Sequence, residues 1–235
     1  MRNFWDLNYG EVGFEFYGRY HFACIFIIFI FAIILYKPWN NNKNFRKVFA
    51  IMPIALEIIR LIMVLITGHY DSSYLPFHLC LFGAQFMALD VFFESKFIKA
   101  SLFFLFMPAG ILSLITPGWN NVNKYSYVAI ISWIIHGVNS FYPIYLVISK
   151  EYKPNLKDII YPVIFIIVIL PIIKVLNKKL SANYFFIEEP YIGSPLEAIK
   201  NVFPNYILGL FIVTIFVMVM TFFIYKLILR LKIQK

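Results

Sequence analysis

Long apolar runs separated by short polar punctuation make up most of the chain. They are too continuous for the striped face of a soluble helix or the alternation of a half-buried strand. Runs near residues 20–36, 47–66, 75–94, 97–117, 125–148, 157–176 and 205–229 approach the ~20 residues that cross a hydrocarbon layer about 30 Å thick. They predict an all-α bundle of seven transmembrane helices in one integral membrane domain over 1–235. Pro38-Trp39-Asn40-Asn41-Asn42 is expected to break the first run from the second, and Thr116-Pro117-Gly118-Trp119-Asn120-Asn121 the fourth from the fifth. Glu94-Ser95-Lys96 leaves only a tight connection between the third and fourth. The stretch 177–204 has no spanning pattern, but Ser194-Pro195 followed by Glu197 reads as the start of a short interfacial helix.

Composition removes the other classes. Apolar residues make up 61% and charged residues 14% of the chain, against about 45–50% and 25% in globular domains. A soluble domain, a disordered chain and a disulfide-stapled module are excluded. The first twenty residues mix Asp6, Glu11 and Glu15 with Arg2 and Arg19, which is not the cationic start of a signal peptide. The net charge is +9, yet no exposed basic cluster alternates with aromatics, so no nucleic-acid partner is expected. Thirteen Lys and Arg fall after the first, third and fifth runs and at the C-terminus. Seven fall on the other side, four of them from Lys174 to Lys200 at and after the end of the sixth run, and Arg60 lies within a run. The positive-inside rule then sets the N-terminus outside and the C-terminus in the cytoplasm, in a multi-pass protein of the cell membrane.

Inside a bilayer an ionisable group is costly and faces the bundle interior or a cavity, so the few polar residues within the runs are the informative ones. If the third run is helical from Leu75, Cys80 lies about one turn below the outer surface and shares a face with Ala84 and Ala88. That face also reads as a small-residue packing seam. His78 would then lie roughly 200° from Cys80 and share a face with Gln85. In the fifth run Ser132, His136, Asn139, Ser140 and Pro143 form one stripe, which predicts a polar, wet interior. In the second, Glu57 and Arg60 are spaced to pair; they neutralise each other, or Glu57 orients a histidine, or Arg60 holds a lipid phosphate. Asp90 lies towards the cytoplasmic end of its run.

Cys80, His136, Glu57 and Arg60 come from three runs yet share the outer half of the bilayer. A thiol and an imidazole are the minimum for nucleophilic acyl chemistry: the imidazole takes the proton and the thiolate attacks an ester carbonyl. Lipid esters lie near that depth. No metal or nucleotide motif competes, so neither a cofactor nor a metal site is expected. Cys24 also lies towards the outer face, which leaves a Cys24–Cys80 disulfide open.

The element Leu75-Pro76-Phe77-His78-Leu79-Cys80, preceded by a helix with Glu57, resembles the YwaF family of bacterial integral membrane proteins. Leu114-Ile115-Thr116-Pro117, His136-Gly137, Asn183-Tyr184 and Pro204-Asn205-Tyr206-Ile207 extend the resemblance from about residue 45 to the end. Family members more often carry tryptophan around that last element. The family is grouped with eukaryotic transmembrane protein 164, which moves acyl chains between phospholipids. The resemblance implies that Cys80 accepts the acyl group, that His136 is its acid/base partner, and that membrane phospholipids are the partners. His78, Glu57, Arg60, Asn139, Asn183 and Tyr184 are then substrate-binding or supporting residues. A transporter or channel using the polar stripe, and a non-catalytic membrane protein, remain the competing readings; the oligomeric state is not readable.

Overall fold

A computed structural model of the chain describes residues 2–7 and 13–233, and all regular structure in those residues is helical. Seven helices are long and apolar enough to cross a membrane. The first two are α1 (Arg19–Asn41) and α2 (Lys43–Ile66). They are followed by the segment Ser72–Phe92, whose α-helical part is α3 (Leu79–Phe92), and by α4 (Lys96–Ile115), α5 (Tyr127–Ile148) and α6 (Ile160–Leu180). A short helix α7 (Leu196–Val202) then precedes α8 (Tyr206–Ile233). The interfacial helix expected after Ser194-Pro195 is α7.

Pro38 does not break the chain. It lies in the last turn of α1, and the break is the single residue Asn42. Asn42 caps α2 by accepting from the Asn44 and Phe45 N–H groups at 2.9 and 3.1 Å, an N-cap that lets α2 start four residues earlier than the apolar run implied. In α4, five residues (Leu102–Phe106) wind as π-helix between two α-helical segments. All five are buried where α3, α5 and α8 meet α4.

The layout follows the distribution of polar side chains. α5 is the most buried of the seven spans and packs against α1, α2, α3 and α4. Its stripe of Ser132, His136, Asn139, Ser140 and Pro143 is wholly inside. Gly83 on α3 and Gly110 on α4 let these helices approach the stripe closely, since an added methyl at either would come within 3.0 Å of Asn139 Oδ1 or 2.9 Å of Ser140 Oγ. The outer surfaces of α1, α2, α6 and α8 are lined by exposed Phe, Ile, Leu and Val, as a lipid-facing belt requires. At the opposite end of the bundle from His78, Tyr142 donates to Asp90 at 2.9 Å, and Lys96 at the start of α4 pairs with Asp158 at 2.7 Å.

Candidate functional site

The third span is not helical from Leu75. α3 has 14 residues, or ~21 Å at 1.5 Å per residue, short of the ~30 Å hydrocarbon layer. The outer part of the crossing is a 3₁₀ turn over Ser72–Tyr74 followed by extended backbone at Leu75 and His78. Pro76 accounts for the late start: it removes an N–H and biases Leu75 away from helical angles. Non-helical backbone at membrane depth must be enclosed by protein. Here Ser72 Oγ donates to the Leu180 carbonyl at 2.8 Å, Tyr184 donates to the Ser72 carbonyl, and Gln85 reaches back to the Pro76 carbonyl at 3.5 Å.

This corrects the helical-wheel relation between His78 and Cys80. His78 is the N-cap residue of α3, with an extended backbone and a side chain that makes no cap, and Cys80 is the second residue of the helix. The helix start lies inside the membrane. Cys80 packs in one cluster with Leu56 of α2 and Ile131 and Ile135 of α5, and Leu56 is ten positions, ~15 Å, from the outer end of α2. The first N–H groups of a helix have no intrahelical acceptor and carry its positive partial charge. At α3 the N–H groups of Cys80 and Leu81 lie within reach of the Cys80 sulfur.

His136 is on α5, and Nδ1 lies 2.7 Å from the Ser132 carbonyl. A carbonyl only accepts, so Nδ1 carries the proton and Nε2 holds a lone pair. The imidazole face is stacked on Trp119 with centroids 4.5 Å apart, and Trp119 meets Trp133 edge-on. His21 is the contrast. Its Nδ1 accepts from the Tyr17 N–H at 2.9 Å and its Nε2 donates to the Leu114 carbonyl at 2.7 Å, so both nitrogens are used structurally. One turn below His136, Asn139 Nδ2 donates to the Cys80 carbonyl at 2.8 Å and ties α5 to the start of α3.

Arg60 Nη2 donates to Glu57 Oε1 at 2.5 Å, so Glu57 pairs with Arg60 and not with a histidine. Arg60 is within electrostatic reach of Cys80, His78 and His136. No hydrogen bond joins the Cys80 sulfur to either imidazole. Among the described residues eight buried polar side-chain atoms have no hydrogen-bond partner, and five belong to residues of this region: Glu57 Oε2, Arg60 Nε, Asn139 Oδ1, Trp119 Nε1 and Trp133 Nε1. Buried polar groups are nearly always satisfied, so these five atoms have capacity for a water or a polar ligand.

Above the site runs the segment after α6. Tyr184 and Phe186 pack on the His78 ring at 5.1 and 5.6 Å. Tyr191 packs on Phe186 at 4.9 Å and donates to the Thr116 carbonyl. Burial holds the Tyr191 phenol above its ordinary range, so it stays a donor. Phe185 and Phe186 both have left-handed backbone, with φ of 60° and 53°, a conformation costing about 1–2 kcal/mol per non-glycine residue. Asn183 is not part of the site: it donates to the Glu189 carbonyl and accepts from the Glu188 N–H, shaping this strap from within.

Of the residues singled out from the sequence, Cys80, His136, His78, Glu57, Arg60, Asn139 and Tyr184 thus come to one region. The TMEM164 family model matches residues 16–225. The chain belongs to the TMEM164 family. No curated protein and no solved structure matches it. In this TMEM164-family chain, sequence reasoning missed Trp119, which it read only as part of a loop; a tryptophan beside Gly118 carries no signal of the histidine it will cover. It also missed the late start of α3, although Pro76 was a visible reason for one. Cys24 and Cys80 are free thiols in separate clusters, so no disulfide forms.

Proposed function

We propose that this membrane protein is a lipid acyltransferase that carries the acyl group as a thioester on Cys80, with membrane phospholipids as donors and acceptors, in the outer half of the cell membrane. The observation that carries the reading is the intramembrane start of α3. It sets a thiol beside the first turn of a helix, where the Leu81 N–H already donates to the His78 carbonyl at 3.0 Å and the Cys80 N–H has no such acceptor, one helix away from an imidazole whose Nε2 is free.

In the first half-reaction His136 Nε2 takes the Cys80 proton and the thiolate attacks the ester carbonyl of the donor. The Cys80 N–H at the helix start stabilises the developing oxyanion. The C–O bond breaks, and the leaving alkoxide takes the proton from His136 to become a lyso-lipid hydroxyl. In the second, an acceptor hydroxyl gives its proton to His136 and attacks the thioester. The C–S bond breaks, and the thiolate recovers the proton. The sulfur and Nε2 are not in contact before substrate arrives, so the ester or a single water bridges them, as is common where catalytic contacts tighten only in the reactive complex.

The test is the intact mass of detergent-purified protein after incubation with labelled phospholipid, with and without neutral hydroxylamine. The expected result is an acyl-sized adduct that hydroxylamine removes and that Cys80→Ala lacks. His136→Ala is expected to slow its formation by about 10²–10⁴-fold, the usual contribution of a positioned base. A Cys80→Ala protein that still exchanges acyl chains at the native rate would overturn the reading.

A further inference from the structure

The unpartnered atoms around Cys80 differ in sign, and the one cation among them is Arg60. Its side chain is 13% exposed, although it sits six positions, ~9 Å, from the outer end of α2. A buried guanidinium is retained only where its donors have acceptors. Arginine has five N–H donors in a planar fork. Glu57 takes one at 2.5 Å, and Nε is buried with no acceptor. Glu57 therefore holds the fork in place without saturating it. On the other side the centroid of the Tyr74 ring lies 5.7 Å from the guanidinium carbon, within cation–π range.

We propose that Arg60 binds the phosphodiester of a glycerophospholipid and so sets which acyl ester reaches Cys80, an assignment that rests on the acyl-transfer reading above. Two features favour the phosphodiester. The arginine fork matches tetrahedral oxyanions bidentately, and in the outer half of a bilayer the lipid phosphate is the anion covalently tied to an ester. The vertical spacing also fits. Leu56, which shares the Cys80 cluster, is four positions deeper than Arg60, ~6 Å. A phosphate held at Arg60 thus hangs its glycerol across one helical turn and presents the ester at the level of the thiol.

The experiment compares two donors with identical labelled acyl chains, phosphatidylcholine and diacylglycerol, in vesicles containing the full chain. The readout is the ratio of hydroxylamine-labile labelling from the two. Arg60→Gln is expected to lower the phosphatidylcholine-to-diacylglycerol ratio at least about tenfold, the loss typical of one charge-assisted hydrogen bond. Arg60→Lys is expected to recover part of it. Glu57→Gln/Arg60→Gln removes both charges, and is expected to show the same lowered ratio if the single variant leaves Glu57 unpaired and fails to fold. An unchanged ratio, whether both rates fall together or neither falls, overturns the proposal. A native ratio that added water-soluble glycerophosphate lowers as far as Arg60→Gln does, in protein that retains no phosphatidylcholine, overturns the lipid as occupant in favour of a free phosphate.

A second readout separates this proposal from the chemistry it rests on. Native mass spectrometry of the detergent-solubilised protein is expected to show one retained phosphatidylcholine, lost in Arg60→Gln, whether or not a thioester forms. Retention with no labelling from either donor defeats the acyl-transfer reading and leaves Arg60 as a phosphate site. Retention that is equal in native and Arg60→Gln defeats the Arg60 assignment alone.

Discussion

Gly110→Ala tests the packing of α4 against α5, the helix that carries His136. A methyl built on Gly110 would lie 2.9 Å from Ser140 Oγ, 3.2 Å from Asn139 Cβ and 3.2 Å from the Ser140 backbone nitrogen. The hydroxyl is not free to swing away without cost, because it donates to the His136 carbonyl at 2.8 Å. The other two atoms are fixed to the α5 backbone, so α4 has to move outward by a few tenths of an ångström. Overpacking of this kind costs about 1–3 kcal/mol. At about 2–4 °C per kcal/mol for a chain of this length, Tm should fall by about 2–12 °C. Trp119 and Trp133 lie in the same region, so the intrinsic emission of detergent-solubilised protein reports the transition. Ser140→Ala in the Gly110→Ala background removes the nearest clash but leaves the two backbone-fixed ones. It should therefore recover less than half of the loss. A Gly110→Ala protein melting within about 1 °C of the native one would refute the close approach of α4 to α5.

Three further outcomes follow from local geometry. Ser181 ends α6 with φ of 49° and is exposed, so Ser181→Gly should raise Tm by about 1–3 °C, the gain from a left-handed C-cap that glycine adopts without strain. Asn139→Ala removes the donor to the Cys80 carbonyl and should cost about 1 kcal/mol, as intramembrane hydrogen bonds do; hydrogen exchange at residues 79–83 should rise more than at the far end of α3, and equal protection at both ends would count against the tie. Asp71 lies outside the bilayer, and the Ser73 hydroxyl and N–H that it accepts from hold its carboxyl below the ordinary aspartate range. Its stabilising effect is complete above the unfolded value, about 4, and is lost as pH falls through the lower folded value. Asp71→Asn should therefore flatten the Tm–pH curve only below about pH 4, and an unchanged curve would remove Asp71 from that turn.

The spans were legible because bilayer thickness acts directly on composition. The 125–148 and 47–66 runs end within a few residues of α5 and α2. The polar residues of α5 were legible for the same reason: His136 and Asn139 stand out against Ile and Val wherever they point. What failed was the one place where hydropathy and helix part company. Leu75-Pro76-Phe77 is as apolar as any helix, and only the proline shows that this stretch crosses the outer bilayer without winding. The helical premise behind the His78–Cys80 relation failed for that reason. The stripe was read as lining water, whereas Ser140 Oγ and Asn139 Nδ2 spend their hydrogen bonds on backbone carbonyls of α5 and α3. The Trp119 cover on His136 depends on how a loop folds back over the bundle, which spacing along the chain does not encode.

The short α3 also bears on how the protein is made. The segment containing it and the one containing α5 are the two least apolar of the seven spans, and they carry Cys80 and His136. An insertion machinery that scores each segment by its apolar content meets its weakest substrates in the two segments that carry Cys80 and His136. Segment three is joined to α4 by only Phe93-Glu94-Ser95, so the two are built to enter the bilayer as one hairpin, the stronger α4 drawing in the weaker partner. α5 is then accepted between helices already in place, which makes the order of synthesis part of how this site comes to exist.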